Sequence, residues 1–302
     1  MQIGLFFGSP TNIDRTIAQI RAARDAGFPS AWLAQIFNLD ALTVLAVVGR
    51  EVDGIELGTG VVPTYPRHPM ALAGQALAVQ AASGNRLALG IGLSHQVVVE
   101  GMWGYSFERP ARHMSEYLSA LLPLLRGEAV QVQGETLKAV GQVTAEGGVH
   151  APPVLLAALA PAMLRLAGAV ADGTVTWMTG PSTVAGHIVP SITAAATAAA
   201  RKAPRVAVGL PVQVTDDPAA ARAQAAVDFA VYGQLPSYRA MLDREGAAGP
   251  ADVAIVGNAA AVTAQVRALA EAGATDLVAS PFGDAAAVAR TVDHLATLLG
   301  TV

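Results

Sequence analysis

The chain has no cysteine among its 302 residues. That excludes disulfides, thiolate metal sites and a thiol nucleophile, and it suits a reducing compartment such as the cytoplasm. Lysine is almost absent as well: Lys138 and Lys202 are the only two. Neither follows an apolar strand-like run, so a Schiff-base lysine has no place here. Charged residues are only 14% of the chain, and the net charge is −4. No basic field exists to draw nucleic acid or an anionic membrane surface. No apolar run reaches the roughly 20 residues that a membrane-spanning helix needs, because Gly, Pro or charge interrupts each one. The opening residues MQIGLFFGSP lack a basic segment ahead of a long apolar one, so no signal peptide is expected and a soluble cytoplasmic protein is. The six histidines form no His-x-x-x-His or His-Glu-x-x-His pattern, so no metal is expected. No Gly-x-Ser-x-Gly elbow is present, and the junction FFGSPTN lacks the Gly-x-Gly-x-x-Gly of a dinucleotide fold.

What remains is a chain that is 53% hydrophobic, with short apolar runs alternating with amphipathic stretches. The runs at 3–7, 31–34, 55–60, 87–92, 154–158, 174–177, 206–214 and 276–280 read as strands. The stretches at 12–26, 40–52, 68–82, 109–125, 161–170, 182–200, 218–232, 237–244, 259–272 and 284–299 have helical spacing. Residues 130–140 alternate around Gly134-Glu135 and read as a β-hairpin. Strands joined by helices are parallel, and their near-continuous apolar character implies burial on both faces. Eight strands, each followed by helix, predict an α/β protein of the (β/α)8 TIM-barrel class. It would span 1–302 as one domain, with insertions in 179–204 and 218–250.

In such a barrel the chemistry sits at the C-terminal ends of the strands. One strand ends in LGIGLSHQ. Gly90 and Gly92 would let backbone approach a flat ligand, and Ser94, His95 and Gln96 are able to hydrogen-bond a heterocycle edge. A solvated loop is an equal reading of these residues. The junctions Ala157–Ala160 and 177–181, with Trp177, Thr179 and Gly180, each precede a helix. Free N–H groups and the dipole there suit phosphate, although ordinary capping competes with that reading. Trp177 would wall a cofactor pocket or fill the core. His113 and Glu116, three apart on a helix, read as a surface pair. Strand ends that are mostly small, apolar or hydroxylated favour an enzyme whose cofactor carries the chemistry. The densest backbone control is LGTGVVPTYPRHP at 57–69, with Gly58, Gly60, Pro63, Pro66 and Pro69.

These segments together resemble a known family. IGLFF, AGFPSAWLAQIF, LGTGVVPTYPRHP, NRLALGIGLSHQ, ERPARHMSEYL and LRLAGAVADGTVTW are similar in order and spacing to the luciferase-like monooxygenase superfamily, in particular its coenzyme F420-dependent oxidoreductase branch. The resemblance implies an insertion-bearing barrel, usually dimeric, acting on a small-molecule substrate by hydride transfer at C5 of a deazaflavin. It implies a non-proline cis peptide at Gly60-Val61 facing the ring, with Ser94, His95 and Gln96 at the ring's polar edge. It places the cofactor's phosphate and tail over Ala157, Ala158, Leu159 and Ala160 and over Trp177, Thr179 and Gly180. Where several relatives have an acidic residue and histidine after the second strand, this chain has Gln35-Ile36, which makes Gln35 the expected cofactor contact there and argues against a sugar-phosphate substrate. Where relatives often have lysines near the sixth strand end, it has Ser182 and Thr183, so Arg67 or another arginine would have to meet the tail. His95 is the candidate catalytic acid. Two alternatives stay open: a flavin mononucleotide (FMN) monooxygenase of the same fold, and a non-catalytic flavin- or deazaflavin-binding protein.

Overall fold

Each strand is followed by a helix whose start is written locally. Asp40 caps helix Ala41–Glu51 by accepting from the Thr43 N–H at 2.7 Å. His68 precedes helix Pro69–Ser83, where proline supplies a pre-set first turn, and Gly84 ends it at φ 64°. Asp217, Asn258 and Asp284 cap three later helices in the same way as Asp40. The computed structural model describes residues 1–302. The fold is the (β/α)8 TIM barrel. Its eight principal strands are Gln2–Phe6, Ser30–Leu33, Glu56–Thr59, Leu87–Gly92, Val154–Leu156, Gly173–Trp177, Arg205–Val214 and Asp276–Pro281.

The chain gathers into two compact units. The first comprises Met1–Phe7, Ala22–Trp32 and Ala158–Val302. Here Gln2–Phe6 lies parallel to Asp276–Pro281 (Gln2 opposite Asp276) and to Ser30–Leu33 (Leu5 opposite Ala31). Arg205–Val214 runs parallel to Asp276–Pro281 on one side and to Gly173–Trp177 on the other. Arg205 grips Asp276 with two hydrogen bonds, Nε at 2.9 Å and Nη2 at 2.7 Å, and stacks over Trp32 at 5.4 Å. A paired, buried charge of this kind at the strand starts belongs to stability, not catalysis.

The second unit comprises Gly8–Arg21 and Leu33–Ala157. Glu56–Thr59, Leu87–Gly92 and Val154–Leu156 are parallel neighbours, with Leu57 opposite Leu87 and Leu89 opposite Val154. Arg86 donates to the carbonyls of Gly49, Val52, Ile55 and Ser83, closing the end of helix Ala41–Glu51. The expected hairpin is present as Val130–Gln133 against Lys138–Gly141.

Several elements depart from their expected bounds. A two-residue strand, Val62–Pro63, pairs with Leu87–Gly92, and a short strand, Ile255–Gly257, pairs with Arg205–Val214. Both are too short for an alternation signal. The single helix expected over 182–200 is three pieces: Pro181–Thr183, a π-turn at Val184–Ile188, and Val189–Ala198. Pro190 has no N–H to donate, and the wide turn just before it lets the Val189 N–H reach the Val184 carbonyl instead. The helix expected over 218–232 stops at Asp228, and Ala230–Gly233 forms a tighter turn. No helix is long and apolar enough to cross a membrane.

Candidate active site

The strand ends of the second unit converge on the Gly60-Val61 step, whose peptide bond is cis. Both flanks of it are held. The Gly60 N–H donates to the Leu33 carbonyl at 2.8 Å, and the Thr64 N–H donates to the Gly92 carbonyl at 2.9 Å. The two glycines of LGIG pack directly against this step. A Cβ on Gly90 would lie 1.9 Å from the Thr59 carbonyl oxygen, and one on Gly92 would lie 2.8 Å from Val61 Cγ2 and 3.0 Å from the Ala157 Cβ. The Thr59 hydroxyl donates to the Gly90 carbonyl and accepts from the Gly90 N–H, both at 2.8 Å. Glycine is therefore required where two strands press Val61 into place. The close packing of the chain itself accounts for both glycines: Gly90 makes room for the Thr59 backbone and Gly92 for Val61 and Ala157.

Ser94 follows in the left-handed region at φ 63°, uncommon for a residue with a side chain and frequent at functional sites. His95 is the N-cap of helix Gln96–Gly101 but gives its N–H groups no side-chain bond. Burial pushes the His95 imidazole below its ordinary pKa, so it is neutral at pH 7. That weakens its expected role as a general acid and leaves it a hydrogen-bonding ring. Gln96 Nε2 donates to Glu100 at 2.9 Å. Gln35 Oε1 accepts from the Ala41 N–H at 2.6 Å, which ties its amide to the helix start.

The first unit carries the other expected contacts. Helix Pro161–Val170 begins at Ala160 with no side-chain cap, so its first N–H groups are open. His187 Nε2 donates to the Leu159 carbonyl at 2.7 Å and steadies that approach. Ala158 is fully buried, while Ala160 is exposed. The second junction is different. Glu245 accepts from the Ser182 N–H at 3.0 Å and from the Thr183 N–H at 2.7 Å. A Cβ on Gly180 would meet its carboxylate carbon at 2.4 Å. Thr179 is buried, and its hydroxyl donates to the Trp177 carbonyl at 3.3 Å. Glu245 therefore fills the Ser182 and Thr183 N–H groups, and a phosphate expected over Trp177, Thr179 and Gly180 would have to compete with that carboxylate. Trp177 packs against Phe6 at 5.5 Å and edge-on to Phe229 and Tyr232 at 6.2 and 5.8 Å. Nothing local in the sequence signals Glu245, which lies 63 positions from Ser182.

Arg67 is also spoken for. It pairs with Asp40 at close range, and its carbonyl accepts from the Tyr117 hydroxyl at 2.8 Å. His113 is not a surface residue. It is buried and stacks on Tyr65 with ring centroids 4.1 Å apart. Its helix neighbour Glu116 turns instead to the hairpin, accepting from Glu135 N, Thr136 N and Thr136 Oγ1 at 3.1, 2.8 and 2.7 Å. A cavity of about 660 Å³ opens beside Tyr65 and His113; of the expected cofactor contacts only Arg67 lines it. No group of three or more His, Asp or Glu side chains gathers to hold a metal ion.

For a flat ring, the second unit offers the Gly60-Val61 backbone and the Ser94–Gln96 run. For a phosphate, the first unit offers the open start of helix Pro161–Val170 and withholds the start at Pro181. A TIM barrel with such strand ends is of the kind that leaves its chemistry to a bound cofactor. More narrowly, the chain belongs to the luciferase-like monooxygenase family, whose family model matches residues 1–298. It is 31% identical over 176 residues to the 5,10-methylenetetrahydromethanopterin reductase of Methanolobus tindarius, a match covering 57% of this chain and 53% of that protein. A reductase of the same name from Archaeoglobus fulgidus is 30% identical over 157 residues, covering 51% and 46%. The chain thus spans about half the length of the curated relatives it matches. Among solved structures, the coenzyme F420-dependent tetrahydromethanopterin reductase of Methanopyrus kandleri superposes with a TM-score of 0.84 at 22% identity, covering 99% of this chain and 98% of that one. A Pseudomonas putida type II Baeyer-Villiger monooxygenase in complex with FMN superposes at 0.78 with 17% identity and the same coverage.

Proposed function

We propose that the protein is a coenzyme F420-dependent oxidoreductase that passes hydride between the deazaflavin and a small, electron-poor organic substrate, working as a homodimer. The observation that carries this reading is the Gly60-Val61 step, held from both flanks and backed by Gly90 and Gly92, beside a run of neutral hydrogen-bonding side chains. The likeness to the coenzyme F420-dependent reductase of Methanopyrus kandleri supports the choice of deazaflavin. When bound, the coenzyme supplies the hydride chemistry at its C5 carbon. The protein's part is binding, orientation and exclusion of water. Val61 and the backbone on either side of it give a flat, apolar shelf. Ser94, His95 and Gln96 supply donors and acceptors along one edge of it. His95, held below its ordinary pKa by burial, is neutral at pH 7 and offers a ring hydrogen bond; a proton needed at the substrate would come from it or from water. The uncapped N–H groups of helix Pro161–Val170 would meet a phosphate.

A second reading, FMN monooxygenase, is favoured by the likeness to the FMN-bound Baeyer-Villiger enzyme. Titration of the purified chain with coenzyme F420 and with FMN, followed by fluorescence quenching, separates the two. The deazaflavin is expected to bind in the micromolar range and FMN more weakly. Binding of FMN with oxygen consumption, and none of the deazaflavin, would overturn the proposal. Tight deazaflavin binding with no turnover on enones, imines or quinones would point to a carrier protein. Light scattering in solution tests the dimer.

A further inference from the structure

We infer that Thr59 is a positioning residue for the Val61 shelf: its side-chain hydroxyl carries the strand pairing across a break in register and so fixes Val61 in place. This role rests on the proposed reading of that shelf as the seat of a flat ring. The two strands that build the shelf do not run in step. Gly58 lies opposite Ala88, and Val62 lies opposite Ile91. Thr59, Gly60 and Val61 are therefore three residues facing two, Leu89 and Gly90, which makes a β-bulge. A bulge bends its strand, re-aims a side chain and interrupts the ladder of backbone hydrogen bonds.

The interruption falls at Gly90. On either side of it, the backbone faces the strand Val154–Leu156: the Leu89 N–H donates to the Pro153 carbonyl at 2.9 Å, and the Ile91 carbonyl accepts from the Ala157 N–H at 2.8 Å. Successive residues of a strand alternate, so the Gly90 N–H and carbonyl face Thr59 instead. The Thr59 carbonyl lies over the Gly90 Cα, where an added Cβ would come within 1.9 Å of it. The hydroxyl takes up the pairing. It accepts from the Gly90 N–H and donates to the Gly90 carbonyl, both at 2.8 Å. Buried backbone groups need such partners, and one hydroxyl can serve as donor and acceptor at once. Serine can do the same; valine, with the shape of threonine, can do neither. The strand held in this way is the one Val61 leans on. A Cβ on Gly90 would lie 3.3 Å from Val61 Cγ1, and one on Gly92 would lie 2.8 Å from Val61 Cγ2. Thr59 is itself fully buried, so it acts on a ring only through Val61. Untying Gly90 frees the strand behind Val61, and small displacements of a positioning surface weaken binding and orientation.

Three variants of the full chain test this. Thr59→Val removes the hydroxyl and Thr59→Ser keeps it. Thr291→Val is the control for a general loss of stability: Thr291 is also fully buried, and its hydroxyl accepts from the Val214 N–H at 2.9 Å and donates to the Ala287 carbonyl at 2.7 Å, in the first unit. Hydrogen exchange on the chain without cofactor reads the tie directly. In Thr59→Val the Gly90 amide should exchange at least about tenfold faster, while the Leu89 amide keeps its wild-type rate. Titration then uses whichever ring the wild type binds, coenzyme F420 or FMN. Thr59→Val should bind it at least about fivefold more weakly and with a shifted fluorescence of the bound ring, while Thr59→Ser and Thr291→Val stay within about twofold of wild type. If Thr59→Val does not fold, the wild type decides: its Gly90 amide should exchange about as slowly as that of Leu89. A wild type that binds neither ring would overturn the cofactor reading, and the exchange result would still decide whether Thr59 holds the strand behind Val61. The positioning role is overturned if Gly90 exchange is unchanged in folded Thr59→Val, if that variant binds the ring like wild type, if Thr59→Ser behaves like Thr59→Val, or if Thr291→Val weakens the ring as much.

Discussion

At Gly90 an added Cβ would meet the backbone of Thr59, whereas at Gly180 it would meet the carboxylate of Glu245. Both glycines lie where sequence alone suggests a ligand-facing strand end. The first belongs to a junction built from rigid parts: paired strands, a reciprocal Thr59–Gly90 hydrogen bond and Val61 pressed between neighbours. The second belongs to a junction whose donors are filled by one flexible side chain from a distant helix, Pro236–Glu245. A glycine before a helix therefore does not by itself mean an anion site. What decides is whether another part of the chain already supplies the anion.

The largest expected effect tests the rigid side. Gly90→Ala has nowhere to put its methyl, since the obstacle is a carbonyl 1.9 Å away in the middle of a parallel sheet. A loss of at least about 3 kcal/mol is expected, beyond ordinary overpacking. Urea unfolding, or failure to recover soluble protein, reads it. A variant with near wild-type stability would show that this strand pair gives way easily.

The flexible side should behave otherwise. Gly180→Ala is expected to cost about 1 kcal/mol, because Glu245 can swing aside. Glu245→Ala should cost about 1–2 kcal/mol by stripping the Ser182 and Thr183 N–H groups of their acceptor. The double variant should be less destabilised than the two losses added together, since removing Glu245 removes the clash. Strict additivity in the urea midpoints would mean the two residues do not meet.

A third contrast lies within the second unit, at the hairpin. Burial alone would raise the Glu116 pKa, but hydrogen bonds from Thr136 and Glu135 and the nearby Arg112 outweigh it and bring it from 4.5 to about 2. A folded pKa below the unfolded one gives stability that is present above pH 4.5 and lost as pH falls toward 2. After allowance for solvent screening, this amounts to roughly 1 kcal/mol. Glu116→Gln should be less stable than wild type at pH 7 and nearly equal to it at pH 2. Parallel pH profiles for the two proteins would rule out the hairpin contact as their source.

Much of the fold was legible because apolar runs, caps and Gly or Pro stops agree along the chain. Leu87–Gly92 and Pro161–Val170 fall on their expected bounds. The cis step at Gly60-Val61 was legible only through resemblance, since no composition or spacing rule marks it. The site was harder to read for three physical reasons. Glu245 acts across 62–63 positions of sequence, beyond any local pattern. His113 and Glu116 share helical spacing but face different neighbours, one Tyr65 and the other Thr136, and spacing does not say what lies opposite. Gly90 and Gly92 suggest openness in a sequence, yet here they mark the closest packing in the second unit's strand ends.

The smallest effect is expected at Arg109 and Glu135, which bound the same cavity as Arg67 and Asp40 but stand far more in solvent, with side chains 63% and 51% exposed. The Arg67–Asp40 pair is only 15% and 27% exposed, and Asp40 also caps a helix, so its geometry is held by more than the ion pair. Glu135 is shared only with the similarly exposed Arg112 at 3.2 Å, and fixing long exposed side chains costs entropy that offsets most of the attraction. A double-mutant cycle with Arg109→Gln and Glu135→Gln should give a coupling of about 0.5 kcal/mol or less at low salt, fading at high ionic strength. A coupling well above about 1 kcal/mol, independent of salt, would mean that this rim is as firmly built as the buried pair.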